Sequence, residues 1–206
     1  METDLRDHPK IADTEYPVLD LIQRRWSPRA FSGKPVDPEL LRQLFEAARW
    51  APSSFNEQPW RFIVADKENA EAYEKLSFIL NEYNRKWADE APVLGLTVIK
   101  TVFSKNGKPN RVAQHDLGQA IAHLTLEATR HDLYVHQMAG ILVDRARELF
   151  NIPDGYEPVT MFALGYLGDP DRLPDAMQSS EKADRSRKDL DEIVFWGDGW
   201  DERESI

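Results

Sequence analysis

Apolar residues recur at helical spacing in five stretches of the chain and form short continuous runs in three others. A repeat of three to four residues predicts an amphipathic helix, whereas a short bounded apolar run predicts a buried strand. The predicted helices cover residues 17–25, 38–51, 67–87, 116–130 and 140–150. The predicted strands are WRFIVA at 60–65, VLGLTVI at 93–99 and VTMFALGY at 159–166.

The second helix carries the clearest start signal. Asp37 suits the N-cap and Pro38 the first helical position, because a cap carboxylate accepts backbone N–H bonds and proline has no N–H to leave unpaired. The predicted apolar stripe of this helix comprises Leu40, Leu41, Leu44, Phe45 and Ala48.

The helix at 116–130 has the most regular apolar face of the five. The residues predicted to be buried on it are Leu117, Ile121, Leu124 and Ala128, and Asp116 falls outside this face. The histidines around this helix are His115, His123 and His131. A spacing of eight residues separates helical neighbours by about 12 Å, so they are not expected to share a metal ion.

The chain ends in a long polar stretch over 169–192, followed by the apolar cluster Ile193, Val194, Phe195 and Trp196. A polar linker that ends in an apolar anchor predicts an arm, 170–206, that reaches a neighbouring subunit rather than its own core. Residues 1–15 are predicted to form a loose N-terminal arm. We expect one helix-rich α+β domain over 1–206, without repeats.

Charge and composition exclude several classes of function. The chain has 36 acidic and 26 basic residues, a net charge of -10, which disfavours non-specific binding to nucleic acid. It has no cysteine, which excludes thiol nucleophiles, cysteine zinc sites and iron–sulfur clusters. The polar N-terminus lacks a signal-peptide core, and no apolar run approaches the roughly 20 residues of a membrane span. These features predict a cytoplasmic protein without membrane or nucleic-acid partners.

The stretch RRWSPRAF at 24–31 places Arg25, Ser27 and Arg29 at alternate positions. Pro28 favours an extended backbone at Ser27, so the two guanidiniums and the hydroxyl share one side. This arrangement suits a phosphate or a carboxylate. The alternative is a surface basic cluster paired with local acids.

A second stretch, APSSFNEQPWRF at 51–62, joins a helix end to a strand. It carries hydroxyl and amide side chains directly before the strand, where ligands often bind. The same residues are also common in ordinary turns, and the composition of the stretch alone does not separate the two interpretations.

Together these stretches resemble the flavin-binding nitroreductase family. The resemblance extends along the chain through HQMAG at 136–140, LGYLGDP at 164–170 and DRSRKDLDEIV at 184–194. It implies an α+β three-layer sandwich with a central, mostly antiparallel sheet flanked by helices. It also implies an intertwined homodimer that exchanges the C-terminal arms and holds two FMN molecules in its interface, each touched by both chains.

The resemblance also implies which residues contact FMN. They are Arg25, Trp26, Ser27, Arg29, Pro52, Ser53, Ser54, Asn56, Asn84, Gln137, Met138, Ala139, Gly140, Arg185 and Arg187. In this scheme the partner chain donates 52–56, and the backbone turn at 137–140 lies near the flavin N5. Arg29 faces the pyrimidine edge, and Arg185 and Arg187 return to the phosphate. The match is looser at Trp26, where relatives often carry a polar residue, and at Asn84.

The activity implied is an FMN-dependent oxidoreductase that takes electrons from NADH or NADPH and passes them to a small acceptor by a ping-pong mechanism. Nitroaromatics, quinones and free flavins are the expected acceptors. The flavin carries the chemistry, so no side chain is predicted to be catalytic. Two alternatives remain. One is a specialised dehalogenase or heterocycle oxidase, which the loop at 104–115 would determine, and the other is a flavin-binding protein without turnover.

Overall fold

A computed structural model describes residues 10–196 of the chain. Its helices are α1 (Asp20–Arg24), α2 (Pro38–Arg49), α3 (Ala70–Phe78), α4 (Glu82–Ala88), α5 (Ala113–Arg130), α6 (Val143–Phe150) and α7 (Asp175–Lys182). Its strands are β1 (Trp60–Asp66), β2 (Val93–Lys100), β3 (Tyr134–Met138) and β4 (Tyr156–Gly165). Short 3₁₀ turns lie at Ser54–Asn56, Pro170–Arg172 and Leu190–Glu192.

The four strands form one sheet in the order β1-β2-β4-β3, and every neighbouring pair is antiparallel. Alternate residues of a strand face opposite sides of a sheet, and β4 separates the core in this way. Met161 and Ala163 pack with α3, α4, α6 and α7, whereas Phe162 and Leu164 pack with α2 and α5. The α+β three-layer sandwich is therefore confirmed.

Most predicted elements are present close to their expected bounds. Asp37 caps α2 by accepting a hydrogen bond from the backbone N–H of Glu39 at 2.8 Å, and Pro38 occupies the first helical position. The predicted helix over 67–87 is divided, because Leu80 leaves the helical path to bridge to Ile141 and Asn81 caps a new helix, α4. The helix predicted from residue 140 begins at Val143 instead.

The prediction that the polar stretch after 169 avoids its own core is wrong for its first part. Met177 and Glu181 lie four residues apart on one face of α7, and Leu173 precedes that helix. All three are buried against the same chain. The apolar anchor behaves differently, since Ile193 and Trp196 are 57% and 88% exposed in the single chain.

The N-terminal stretch from residue 10 is attached to the domain. The backbone N–H of Ala12 donates to the Gln23 carbonyl at 3.0 Å, and the Lys10 ammonium donates to the Ala183 carbonyl. The predicted arms also include 1–9 and 197–206, which lie outside the described residues. No helix within 10–196 has the length and apolar character that a membrane span needs.

Candidate functional site

The segment that carries Arg25 and Arg29 is fixed to the end of β4 by backbone hydrogen bonds. Ser32 N–H donates to Tyr166 O, and Gly168 N–H donates to Ala30 O, both at 2.9 Å. A Cβ at position 168 would lie 2.4 Å from the Phe31 carbonyl carbon and oxygen, so only glycine allows this approach. The close pairing holds the arginine segment against the sheet.

His136 on β3 fixes the same segment from the other side. Its Nδ1 lies 2.8 Å from the Pro28 carbonyl oxygen, and since a carbonyl only accepts, Nδ1 carries the proton. The ring packs on Trp87 with centroids 4.4 Å apart. Burial lowers the pKa of His136 to about 4, so the imidazole is neutral at physiological pH.

Six of the predicted residues line one cavity of about 240 Å³ between the segment that follows α1 and the C-terminal arm. We call it the arginine cavity, and these residues are Arg25, Trp26, Ser27, Arg29, Arg185 and Arg187. Two segments from opposite ends of the chain therefore meet, as the resemblance implies.

Three of these arginines, Arg25, Arg185 and Arg187, crowd together without a carboxylate partner among residues 10–196. Burial lowers the pKa of Arg25, and the neighbouring Arg187 lowers it further. Burial also lowers the pKa of Arg185, followed by the effects of Arg25 and Arg187. No ion pair within 10–196 compensates these charges. Confined cations of this kind suit a doubly charged phosphate, because the anion replaces the missing counter-charge.

Arg185 and Arg25 are held in place by neutral groups. Arg185 Nη1 donates to the carbonyl oxygens of Lys10 and Gln23 at 2.9 and 2.6 Å. Arg25 Nη1 lies 3.4 Å from the Ser27 hydroxyl oxygen. The interpretation of 24–31 as a basic cluster paired with acids holds for Arg24, whose guanidinium donates to the Asp132 carboxylate, and in part for Arg29, but not for Arg25 within the described residues.

Arg29 differs from the other three because an acid accompanies it. Its Nη1 lies 3.9 Å from the Glu181 carboxylate and 3.5 Å from the Ser180 hydroxyl. Its Nε is buried without a hydrogen-bond partner within the described residues, as is the Trp26 indole N–H. Both groups are buried donors in residues that line the arginine cavity. Glu181 is not among the site residues predicted from the sequence.

The turn after β3 and the middle helix also meet. Gly140 O accepts from the Asn81 backbone N–H at 3.0 Å and from the Asn84 side-chain amide at 3.4 Å. The Met138 side chain is buried in the core, so its backbone alone can face a ligand, while Gln137 and Ala139 are exposed. Asn84 is thus placed beside the predicted N5-side turn.

The segment at 52–56 lies elsewhere, and its predicted residues Pro52, Ser53, Ser54 and Asn56 do not line the arginine cavity. Three residues adopt left-handed φ values here: Phe55 at 53°, Asn56 at 56° and Gln58 at 50°. Such strain in non-glycine residues is often associated with function. Phe55 is 93% exposed and packs edge-on against Phe103 at 5.8 Å.

Asp116 supports this strained segment. The prediction that it lies on the polar side of its helix is therefore corrected, because its side chain is buried. Its carboxylate accepts from the Ser54 backbone N–H at 3.1 Å. An aspartate in an amphipathic helix is normally predicted to be exposed. The local sequence does not show that the hydrogen-bond partner of Asp116 lies 62 positions away.

Comparison with known proteins decides the family. A model of the nitroreductase family matches residues 22–166. The chain belongs to the nitroreductase family.

Relatives within this family and its structural neighbours agree with the geometry. The crystal structure of an oxidoreductase containing FMN is 37% identical, covers 90% of this chain and 94% of its own, and superposes with a TM-score of 0.83. A Methanothermobacter thermautotrophicus protein named "Putative NADH dehydrogenase/NAD(P)H nitroreductase" is 30% identical over 76% of this chain and 85% of its own length. Rat iodotyrosine deiodinase 1 is 25% identical over 91% of this chain and 75% of its own length.

Within this nitroreductase-family fold, the neutral His136 predicts a loss of stability in acid. Unfolded histidine takes up a proton near its ordinary pKa of 6.5, whereas folded His136 does so only near 4. Protonation therefore favours the unfolded chain as the pH falls from 6.5 to 4. The free energy of unfolding is expected to fall by about 3 kcal/mol over this range.

Chemical denaturation of wild type and His136→Phe across this pH range measures the effect. The phenylalanine variant should show a shallower loss of unfolding free energy. His115→Gln, at an exposed position on α5, should keep the wild-type slope. Parallel pH profiles for wild type and His136→Phe would contradict the assignment.

Proposed function

We propose that this chain uses NAD(P)H to reduce nitroaromatics, quinones or related small acceptors by a ping-pong mechanism. As a member of the nitroreductase family it is an FMN-dependent oxidoreductase. The observation that carries the proposal is the arginine cavity, where Arg25, Arg185 and Arg187 converge and form no carboxylate ion pair with any residue that the structure describes.

The residues present fit FMN. Arg25, Arg185 and Arg187 would hold the phosphate, with Ser27 and the indole N–H of Trp26 as further donors. Arg29 would lie at the pyrimidine end, and the backbone of 137–140, supported by Asn84, would face the flavin N5. Bound FMN supplies the two-electron transfer between donor and acceptor. The side chains bind and orient, and none is assigned a proton-transfer role.

We further propose that the site is completed by a second copy of this chain. The exposed, strained segment at 52–56 would be donated to the partner's flavin, and the exposed Ile193 and Trp196 would pack on the partner subunit. Support comes from the cost of leaving such apolar side chains in water. Each subunit would then contribute to both sites.

The cofactor assignment is tested on the purified protein. It should be yellow, release FMN on acid treatment and lose its visible absorbance when mixed with NADH or NADPH in a stopped-flow instrument. Arg25→Ala should lower FMN occupancy, and the control Arg42→Ala, an exposed arginine paired with Glu39 on α2, should not. A colourless protein that FMN fails to reconstitute would refute the proposal. Binding without reduction would instead identify a flavin-storage protein.

Reductive dehalogenation is a second candidate function, favoured by the similarity to rat iodotyrosine deiodinase 1. The two activities share the cofactor and differ in the acceptor. An acceptor screen that includes a nitroaromatic, a quinone and iodotyrosine separates them. Iodide release with little nitro reduction would favour the dehalogenase, and the reverse pattern would favour the reductase.

A further inference from the structure

We infer that Glu181 is a positioning residue that orients Arg29 and limits how much of its positive charge acts on the flavin. The inference rests on the proposed function, because Arg29 must lie beside the flavin for its charge to matter. Glu181 also lines the arginine cavity, but both of its carboxylate oxygens contact Arg29, so it acts through Arg29 in this scheme.

The carboxylate of Glu181 is fully engaged with the arginine segment. The residue is 4% exposed in the last turn of α7. Its Oε1 accepts from the backbone N–H of Arg29 at 2.9 Å and from that of Ala30 at 3.1 Å. Its Oε2 lies 3.1 Å from the same Arg29 N–H and 3.9 Å from Arg29 Nη1.

A buried carboxylate is costly unless hydrogen bonds and an opposite charge compensate it. Here two backbone N–H groups and one guanidinium do so, and all three belong to two consecutive residues. The helix is itself anchored by Leu173 and Met177 in the core. Glu181 thus connects a packed helix to the backbone at the point where the Arg29 side chain begins.

The contact with Glu181 also affects the reduction potential, because Arg29 differs from the other arginines of the cavity in having a carboxylate beside it. Arg25 and Arg185 are crowded by other cations, whereas Arg29 has a carboxylate at 3.9 Å. A phosphate keeps its charge when flavin is reduced. An acid that neutralised the arginines at the phosphate would therefore leave the reduction potential unchanged. The pyrimidine end gains negative charge on reduction. A carboxylate beside Arg29 therefore weakens the preference for reduced flavin.

Two substitutions separate orientation from charge. Glu181→Gln keeps an oxygen in the position of Oε1, which alone contacts both N–H groups, and removes the negative charge. Glu181→Ala removes both the accepting oxygen and the negative charge. It leaves the buried backbone N–H groups of Arg29 and Ala30 without an acceptor. Asp175→Asn, at an exposed position in the first turn of α7, is the control for the loss of one negative charge.

The measurements are FMN affinity by fluorescence titration, reduction potential, and amide hydrogen exchange of Arg29 and Ala30 in the apoprotein. Glu181→Gln should keep near-wild-type FMN affinity and slow exchange. It should raise the affinity ratio of reduced to oxidised flavin about three- to tenfold, which is about 15–30 mV for a two-electron couple. Glu181→Ala should weaken FMN binding about tenfold or more and speed exchange at both amides. Asp175→Asn should match wild type in all three.

The inference is overturned if Glu181→Gln leaves the potential at the wild-type value, or if Glu181→Ala keeps both wild-type affinity and slow exchange. A lower potential in Glu181→Gln would also overturn it. Failure of the proposed function has a different signature, because wild type itself would then bind no FMN. The exchange rates of the apoprotein would still report whether Glu181 holds the segment.

Discussion

A chain that ends after Ala183 is expected to lose almost all affinity for FMN. This truncation removes Arg185 and Arg187, which line the arginine cavity from the C-terminal side. Each charge-assisted contact is worth about 1.5–3 kcal/mol, so the loss of two weakens binding about a hundred- to ten-thousand-fold. Fluorescence titration of the apoprotein measures the change.

The same truncation should weaken the proposed dimer, because it also removes the exposed anchor at Ile193 and Trp196. Sedimentation velocity reports this change. The full-length double variant Arg185→Ala/Arg187→Ala is the matched control, since it should lose FMN and keep the dimer. A truncated chain that stays dimeric and fully loaded with FMN would show that the arm contributes to neither.

Arg29→Ala is expected to lower the reduction potential of bound flavin. The guanidinium charge favours the reduced, anionic flavin, and a partly buried charge-assisted contact contributes about 1–3 kcal/mol. That range is about 20–65 mV for a two-electron couple. Removal of Arg29 also leaves the Glu181 carboxylate without its cation at 3.9 Å, which acts in the same direction.

Arg187→Ala is the matched control for this prediction. It should weaken FMN binding and leave the potential close to the wild-type value, because the charge of a phosphate does not change on flavin reduction. Potentiometric titration of both variants with excess FMN measures the difference. Equal potentials for Arg29→Ala and wild type would place Arg29 away from the pyrimidine end.

Local signals in the sequence predicted most of the helices and strands that form the three layers. Asp37 and Pro38 predict the start of α2, because an N-cap bonds to backbone groups only two or three residues away. β2 is predictable for a related reason, since a strand buried on both faces is apolar throughout. Arg25, Ser27 and Arg29 were predicted to converge because an extended segment places alternate side chains on one side, and all three line the arginine cavity.

The missed features depend on contacts between distant parts of the chain. β3 carries His136 and Gln137 and therefore lacks an apolar run, and its pairing with β4 creates the strand. Glu181 lies in a stretch that reads as solvated, and only the fold brings it to Arg29. Asp116 is hidden for the same reason. In each case one polar side chain satisfies a backbone group whose position the local sequence does not reveal.

Glu181 and Arg29 meet across 152 residues of chain, and Arg185 reaches the Lys10 carbonyl across 175. During translation, residues 20–31 leave the ribosome long before their partners are made. The FMN pocket that we propose therefore cannot form until residues 181–187 have been synthesised, however early the sheet forms. Nascent chains that stop before Arg185 would therefore hold FMN only weakly.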